Sequence, residues 1–286
     1  MQFDKSFFHL IDEALREDVG DGDHSTLCCI PADAKGKAVL KIKQDGIIAG
    51  IRVASEILCY KDPGAVVEFY KEDGETMKQG DIAFKVQGSI HTILTCERVV
   101  LNCMQRMSGI ATLTREYVNR LKGYKTRLLD TRKTTPNFRL LEKEAVRIGG
   151  GINHRFGLYD MIMLKDNHID YAGGIEKAIN MAHDYVCRVK PDLCIEVEAR
   201  SLDDVRIIAE KGKGKVFRIM LDNFTPDKIK EALTIMQGGF ESEASGGINL
   251  ENLDKYAETG VDFISIGALI HQARSLDLSL KAVIPE

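Results

Sequence analysis

The chain has 286 residues, 44% hydrophobic and 29% charged, with 39 Lys and Arg against 43 Asp and Glu for a formal charge of −4. So much hydrophobic content at so small a net charge excludes a disordered chain, and the lack of a basic excess argues against a general binder of nucleic acid or anionic membrane. At roughly 150 residues per domain, the length predicts about two domains, each able to bury its own core. Met1 to Lys5 carry no basic region leading into an apolar stretch, and no apolar run approaches the roughly 18 residues of a membrane helix; a cytosolic location is expected. Seven cysteines (Cys28, Cys29, Cys59, Cys96, Cys103, Cys187 and Cys194) lack C-x-x-C spacing and read as reduced thiols acting as small hydrophobes.

Along the chain, residues 35–95 read as a small β-rich or α+β unit. Strands are predicted at Ala38–Lys43, Gly46–Ile51, Val66–Tyr70, Ile82–Val86 and Ser89–Thr95, with turns at Asp45-Gly46, Asp73-Gly74 and Gly80-Asp81. A long helix over Cys96–Leu121 follows, with Val99, Val100, Cys103, Met107, Ile110, Leu113, Tyr117 and Leu121 at helical spacing, and is expected to bridge two domains. Beyond Gly123, strands are predicted at 127–129, 161–164, 193–197, 217–221, 240–244 and 263–266, with helices between them. Ser201 with Asp204 forms a capping box, and Thr225-Pro226 sets a cap before proline at a helix start. Such alternation means βα units and a parallel sheet.

Either a doubly wound sheet or a barrel fits that repeat. Each strand, however, is followed by groups that a core would reject: Arg132-Lys133, Lys165 to His168, Glu198, Asp222-Asn223, Ser245-Gly246-Gly247 and Gly267. Polar side chains from six strand ends converging on one mouth favour a barrel enzyme.

Residues 125–165 hold nine Lys and Arg (125, 127, 132, 133, 139, 143, 147, 155 and 165) against four acids (130, 142, 144 and 160), a local +5 that leaves −9 elsewhere. Arg139, Lys143 and Arg147, four apart, read as a solvated helix face. Arg132, Lys133, Arg155 and Lys165, at strand ends or in the loop after Gly149-Gly150-Gly151, suit the gripping of carboxylates and phosphates. Ser245-Gly246-Gly247 and Gly267 end adjacent strands and can let backbone N–H groups approach a phosphate. Glu198 and Asp222 are the acidic counterpart, able to hold Mg²⁺ on a diphosphate or to stabilise positive charge, with salt bridges to nearby lysines as the plainer alternative. His271, one helical turn after Gly267, is either a phosphate contact or structural. Lys78, between Gly74 and Gly80, is similar to the modified lysine of biotinyl and lipoyl carriers, although an exposed turn lysine is the commoner meaning.

Together the motifs Glu97-Arg98, Ser108 to Thr112, Asp130 to Pro136, Gly149 to Arg155, Leu164 to His168, Glu196-Val197-Glu198, Leu221 to Phe224, Glu243 to Ile248 and Ile266 to Leu269 resemble those of the quinolinate phosphoribosyltransferases, and Glu17-Asp18 with Gly22 to Thr26 fits too. The resemblance spans nearly the whole chain. It implies an N-terminal α/β sandwich (1–112), an incomplete TIM-like α/β barrel (113–270) and a C-terminal tail (271–286) packing back on the first domain. It implies conversion of quinolinate and phosphoribosyl pyrophosphate, with Mg²⁺ and no organic cofactor, to nicotinate mononucleotide, pyrophosphate and CO₂ in NAD biosynthesis. Arg132, His154, Arg155 and Lys165 would hold quinolinate, joined by Arg98 from the partner of a homodimer, with a hexamer of three dimers left open. Lys133, Glu198, Asp222, Ser245, Gly246, Gly247, Gly267 and His271 would line the phosphoribosyl pyrophosphate site; Lys133, Lys165, Glu198 and Asp222 are the catalytic candidates. Asn137-Phe138 replaces a common Gly-Leu, Glu144 a frequent Tyr, and Ile270 a Thr before His271. The alternatives are a phosphoribosyltransferase for another anionic base, or a Schiff-base barrel lyase using Lys165 or Lys133.

Overall fold

Asp4 caps the first helix by accepting the N–H groups of Ser6 (2.9 Å) and Phe7 (3.2 Å), and the row Phe7, Ile11, Leu15 buries one face of it. The structure, a computed structural model, describes residues 3–283. Its N-terminal elements are α1 (Lys5–Val19), α2 (His24–Cys29), β1 (Lys35–Ile42), β2 (Gly46–Ile47), α3 (Ile51–Lys61), β3 (Val66–Phe69), β4 (Thr76–Met77), β5 (Ile82–Ser89) and α4 (Ile90–Arg120). Then come β6 (Arg127–Leu129), α5 (Arg139–Gly149), β7 (Ile162–Leu164), α6 (Asp166–Ala172), α7 (Ile175–Val189), β8 (Ile195–Ala199), α8 (Leu202–Lys211) and β9 (Arg218–Asp222). The chain closes with α9 (Pro226–Met236), β10 (Glu241–Ser245), α10 (Leu253–Ala257), β11 (Phe263–Ser265), α11 (Ala268–His271) and β12 (Leu278–Val283).

Contacts divide the chain into two units. One holds the chain to Arg115, Thr134–Gly150 and the segment from Leu269; the other holds Glu116–Lys133 and Gly151–Ala268. In the first, an antiparallel sheet runs β12-β1-β5-β3, with Leu40 opposite Leu280 on one side and Phe84 on the other, and β2 pairs with β4. Gly109 of α4 sits against the C-terminal segment, where a Cβ would lie 1.9 Å from the carbonyl oxygen of Arg274. Gly109→Ala must therefore displace backbone, and overpacking of this kind costs about 1–3 kcal/mol or more. A thermal melt of the variant is expected to show a clear drop in Tm; an unchanged Tm would contradict this packing.

Two predicted strands are corrected. Of Ser89–Thr95, Ser89 ends β5 and the rest is the first turn and a half of α4, because Ile93, Cys96 and Val100 bury a helical stripe that overrides β-branched propensity. Gly46–Ile51 shrinks to β2, and α3 begins at Ile51. Gly50 turns the chain at φ +92°, and the Asp73 carboxylate caps α3 from 22 residues away, accepting the N–H of Ile51 at 2.8 Å. The solvated face ascribed to α5 is also corrected: Lys143 is buried, while Arg147 is exposed and paired with Glu144. All seven cysteines are free, yet only Cys96 and Cys103 act as buried hydrophobes, and burial pushes those thiols up to about 11 and about 12. Cys28, Cys29, Cys187 and Cys194 are exposed. Lys78 is exposed and ion-paired to Asp45 at 2.9 Å.

In the second unit all pairings are parallel, in the order β6-β11-β10-β9-β8-β7, and a parallel bridge from Leu129 to Ile152 continues the sheet past β6. No pairing joins that bridge to β7 among the described residues, so the barrel is incomplete. The predicted capping box is present: Ser201 Oγ accepts the N–H of Asp204 (3.1 Å), and Asp204 accepts that of Ser201 (3.1 Å). Thr225 caps α9 at Pro226.

Candidate active site

Side chains alternate along a strand, so Glu196 and Glu198 of β8 share one face, as do Arg218, Met220 and Asp222 of β9 and Glu241, Glu243 and Ser245 of β10. The register places Glu196 beside Arg218, Glu243 beside Met220, and Ser245 beside Asp222. The barrel interior is thus charged in layers. At its lower end Arg218 reaches Glu241 (2.6 Å) and Glu243 (3.0 Å) and lies over the Phe263 ring, 4.3 Å from its centroid.

Above it sits His154, with Nε2 at 3.1 Å from Glu196 and 3.2 Å from Glu243, all three residues buried. Burial disfavours a charged ring, but the hydrogen bonds and charges of the two carboxylates prevail and raise the His154 pKa to about 9. The ring's Nδ1, however, accepts the backbone N–H of Arg155 at 2.7 Å. A doubly protonated ring would lose that bond, so the backbone contact at Nδ1 opposes the full charge that the two carboxylates favour. Burial and the charge of Glu243 push Glu196 up, which fits a shared proton. Nδ1 is therefore taken by the backbone, while Nε2 lies within ion-pair distance of both carboxylates. The buried Asp130 fixes the same turn, accepting from Asn153 Nδ2 (2.6 Å) and the His154 N–H (2.8 Å).

At the C-terminal rim stand the predicted groups. Arg155 is buried and bonds to the Met161 carbonyl at 3.3 Å; burial and then the charge of Arg132 lower its pKa, so two guanidinium groups crowd one partly desolvated space. Lys165 Nζ lies 3.2 Å from Glu198, whose side chain is buried. Lys133 is exposed and Asp222 half-buried, with Asp222 accepting from Asn223 Nδ2 at 2.6 Å. Gly246 adopts φ +97° and Gly247 φ +64°; a Cβ on Gly246 would strike Asn223 Oδ1 at 2.2 Å, whereas Gly247 faces open space and Gly267 is half-buried. Arg98 (α4) and His271 (α11) are exposed and belong to the other unit. Asn137 occupies φ +61°, a left-handed conformation that suits glycine and that asparagine tolerates. A cavity of about 780 Å³ opens at the opposite end of the strands, among Lys125, Arg127 and Asp262. In barrels that end serves stability, so the rim carries the chemistry.

Glu196, Arg218, Glu243 and Asp130 were not singled out from the sequence as functional. Their signal was charge at every second position within strands, as in Glu-Val-Glu and Glu-Ser-Glu-Ala-Ser. Basic forks beside buried carboxylates at one rim are equipped to bind a small polyanion and to stabilise a developing cation.

Family models described as the C-terminal and the N-terminal domain of quinolinate phosphoribosyl transferase match residues 110–281 and 23–108. The chain is 45% identical over 281 residues to quinolinate phosphoribosyltransferase (decarboxylating) 2b, mitochondrial, of Nicotiana tabacum, covering 94% of this chain and 80% of the relative. It is 40% identical over 271 residues to the probable nicotinate-nucleotide pyrophosphorylase (carboxylating) of Bacillus subtilis, with 95% and 91% covered. The crystal structure of NadC from Streptococcus pyogenes superposes with a TM-score of 0.88 at 40% identity, covering 97% of each chain. Matched by both family models and aligned nearly end to end with such relatives, the chain belongs to the quinolinate phosphoribosyltransferase family, decarboxylating pentosyltransferases also named nicotinate-nucleotide pyrophosphorylases (carboxylating).

Proposed function

We propose that the chain joins quinolinate to the ribosyl carbon of phosphoribosyl pyrophosphate and releases pyrophosphate and CO₂, giving nicotinate mononucleotide for NAD biosynthesis. The observation that carries this reading is the pair Arg132 and Arg155, two cations close enough to repel, together with the Lys165–Glu198 ion pair at the ends of the paired strands β7 and β8. An anion with two carboxylates is matched to such a concentration of positive charge. Arg132, Arg155 and Lys165 take those carboxylates, with Arg98 supplied by the partner of a homodimer. His154 contributes by holding the Arg155 backbone, whose N–H its Nδ1 accepts.

Lys133, Ser245, Gly246, Gly247, Gly267 and His271 take the phosphates. As the bond from the ribosyl carbon to pyrophosphate breaks, positive charge grows on the sugar, and Glu198 and Asp222 stabilise it while the pyridine nitrogen attacks. The alkylated nitrogen is a cation that stabilises the electron pair left on the adjacent ring carbon when that carbon's carboxylate leaves as CO₂. We assign Lys165 Nζ to return a proton to that ring carbon. The oxygen donors Glu198 and Asp222, on the adjacent strands β8 and β9, are of the chemistry that Mg²⁺ selects, and when bound with the diphosphate the ion neutralises the leaving group. A Schiff-base reading is less suited, because Lys165 is committed to an ion pair rather than set as a free amine. No helix among the described residues is long and apolar enough to cross a membrane; we place the chain in the cytoplasm.

Nicotinate tests this reading. It lacks the second carboxylate, and its turnover under conditions saturating for quinolinate is expected to be at least 100-fold lower, on the order of the few kcal/mol that a lost charge-assisted contact is worth. Equal turnover of the two acids would contradict it.

A further inference from the structure

The chain buries a second ion pair that the chemistry above does not use. Glu142, on α5, is fully buried; Arg106, on α4, donates to its Oε1 from Nε (3.0 Å) and from Nη2 (2.9 Å). The same guanidinium donates from Nη2 to the Ile270 carbonyl and from Nη1 to the Ala273 carbonyl, each at 2.7 Å. Glu142 in turn accepts the Thr135 N–H at 2.8 Å and the Thr135 hydroxyl at 2.9 Å. One planar fork and one carboxylate thus fasten two backbone segments. The first is fastened at Thr135, two residues after Lys133; the second, at Ile270 and Ala273, brackets His271.

A buried guanidinium–carboxylate pair adds little net stability over an apolar replacement of the same shape, because desolvation offsets the attraction. Its directional bonds nevertheless fix backbone position, and a guanidinium can hold several acceptors at once where an ammonium cannot reproduce the fork. Lys133 and His271 are themselves exposed, and Lys133 is held locally only through its N–H, which donates to Thr131 Oγ1 at 3.1 Å among the bonds described. Their backbones are set from behind. Ile270, which stands where a threonine is frequent, is buried and offers its carbonyl oxygen to Arg106 rather than a hydroxyl to solvent.

We propose that Arg106 and Glu142 are positioning residues for the phosphoribosyl pyrophosphate side of the reaction: together they fix the backbone at Thr135, two residues after Lys133, and at Ile270 and Ala273, on either side of His271. The inference rests on the reading that Lys133 and His271 contact that substrate. It separates Arg106 and Glu142 from the quinolinate contacts, since Arg132, Arg155 and Lys165 bond to neither of them in the pairings described above.

The test is steady-state kinetics and binding for Arg106→Lys and Glu142→Gln, with the full-length chain and Mg²⁺ present. Each variant is expected to raise KM for phosphoribosyl pyrophosphate about 10-fold or more while KM for quinolinate stays within about twofold. The double variant should be no worse than the weaker single one, because both members act as one unit. Calorimetric titration of phosphoribosyl pyrophosphate should show the same loss. A merely structural role would instead lower Tm and raise both KM values together, and that result, or an unchanged KM for phosphoribosyl pyrophosphate in both variants, overturns the proposal. If Arg106→Lys fails to fold, Glu142→Gln decides alone: it keeps the shape and the Oε1 acceptor facing Arg106 but puts an amide donor where Oε2 accepts the Thr135 N–H. Failure of the underlying reading is seen separately, as an unsubstituted chain that neither binds phosphoribosyl pyrophosphate nor turns it over.

Discussion

Arg155→Ala is expected to lower kcat/KM for quinolinate by roughly 30- to 1000-fold, corresponding to about 2–4 kcal/mol of lost transition-state binding, while phosphoribosyl pyrophosphate affinity stays nearly constant. The side chain is buried beside Arg132, so its charge is little screened, and no neighbouring cation can take its place without moving. Alanine would also leave the Met161 carbonyl without its 3.3 Å donor, which adds a local structural cost. Arg155→Lys separates the two effects: it restores charge but not the fork, and should recover part of the loss. Steady-state kinetics with each substrate varied in turn checks this. A parallel rise in both KM values would mean that Arg155 supports the fold and not the quinolinate carboxylate.

The second large effect concerns Arg98. Arg98→Ala and Glu198→Ala are each expected to abolish activity, and mixing them with subunit exchange should restore about one quarter of the unsubstituted rate. The arithmetic follows from a two-fold dimer with shared sites: random exchange makes half of the dimers mixed, and each mixed dimer carries one intact site of two. Arg98 is exposed on α4, as a residue donated to a partner must be, and Glu198 is buried on β8. No recovery after verified exchange would place both residues in one subunit's site.

Much of the barrel was legible because its strands are short apolar runs bounded by caps whose signals are local, as at Ser201 and Thr225. The N-terminal unit was harder. The cap of α3 is Asp73, far along the chain, so the helix start at Ile51 had no nearby mark, and the β-branched residues Ile90, Thr92, Ile93 and Thr95 suggested a strand where tertiary burial selects a helix. Neither α1 nor β12 was assigned from pattern; β12 exists as a strand because β1 offers it an edge 236 or more residues away. At the site, the exposed rim groups were found because charge at strand ends is conspicuous. The buried charges beneath them were overlooked, since Glu196, Arg218 and Glu243 lie inside runs read for their apolar neighbours, and a barrel lumen is visible only once six strands are set in register. The local +5 between residues 125 and 165 divides accordingly: Arg132, Lys133, Arg155 and Lys165 reach the rim region, while Lys143 is buried on α5.

The most direct measurement is a coupled assay of the purified chain with quinolinate, phosphoribosyl pyrophosphate and Mg²⁺, recording pyrophosphate and CO₂ together. The expected result is one of each per quinolinate consumed, with nicotinate mononucleotide as the nucleotide product and no release of either when phosphoribosyl pyrophosphate or Mg²⁺ is left out. Pyrophosphate without matching CO₂, or CO₂ released from quinolinate alone, would contradict the proposed reaction.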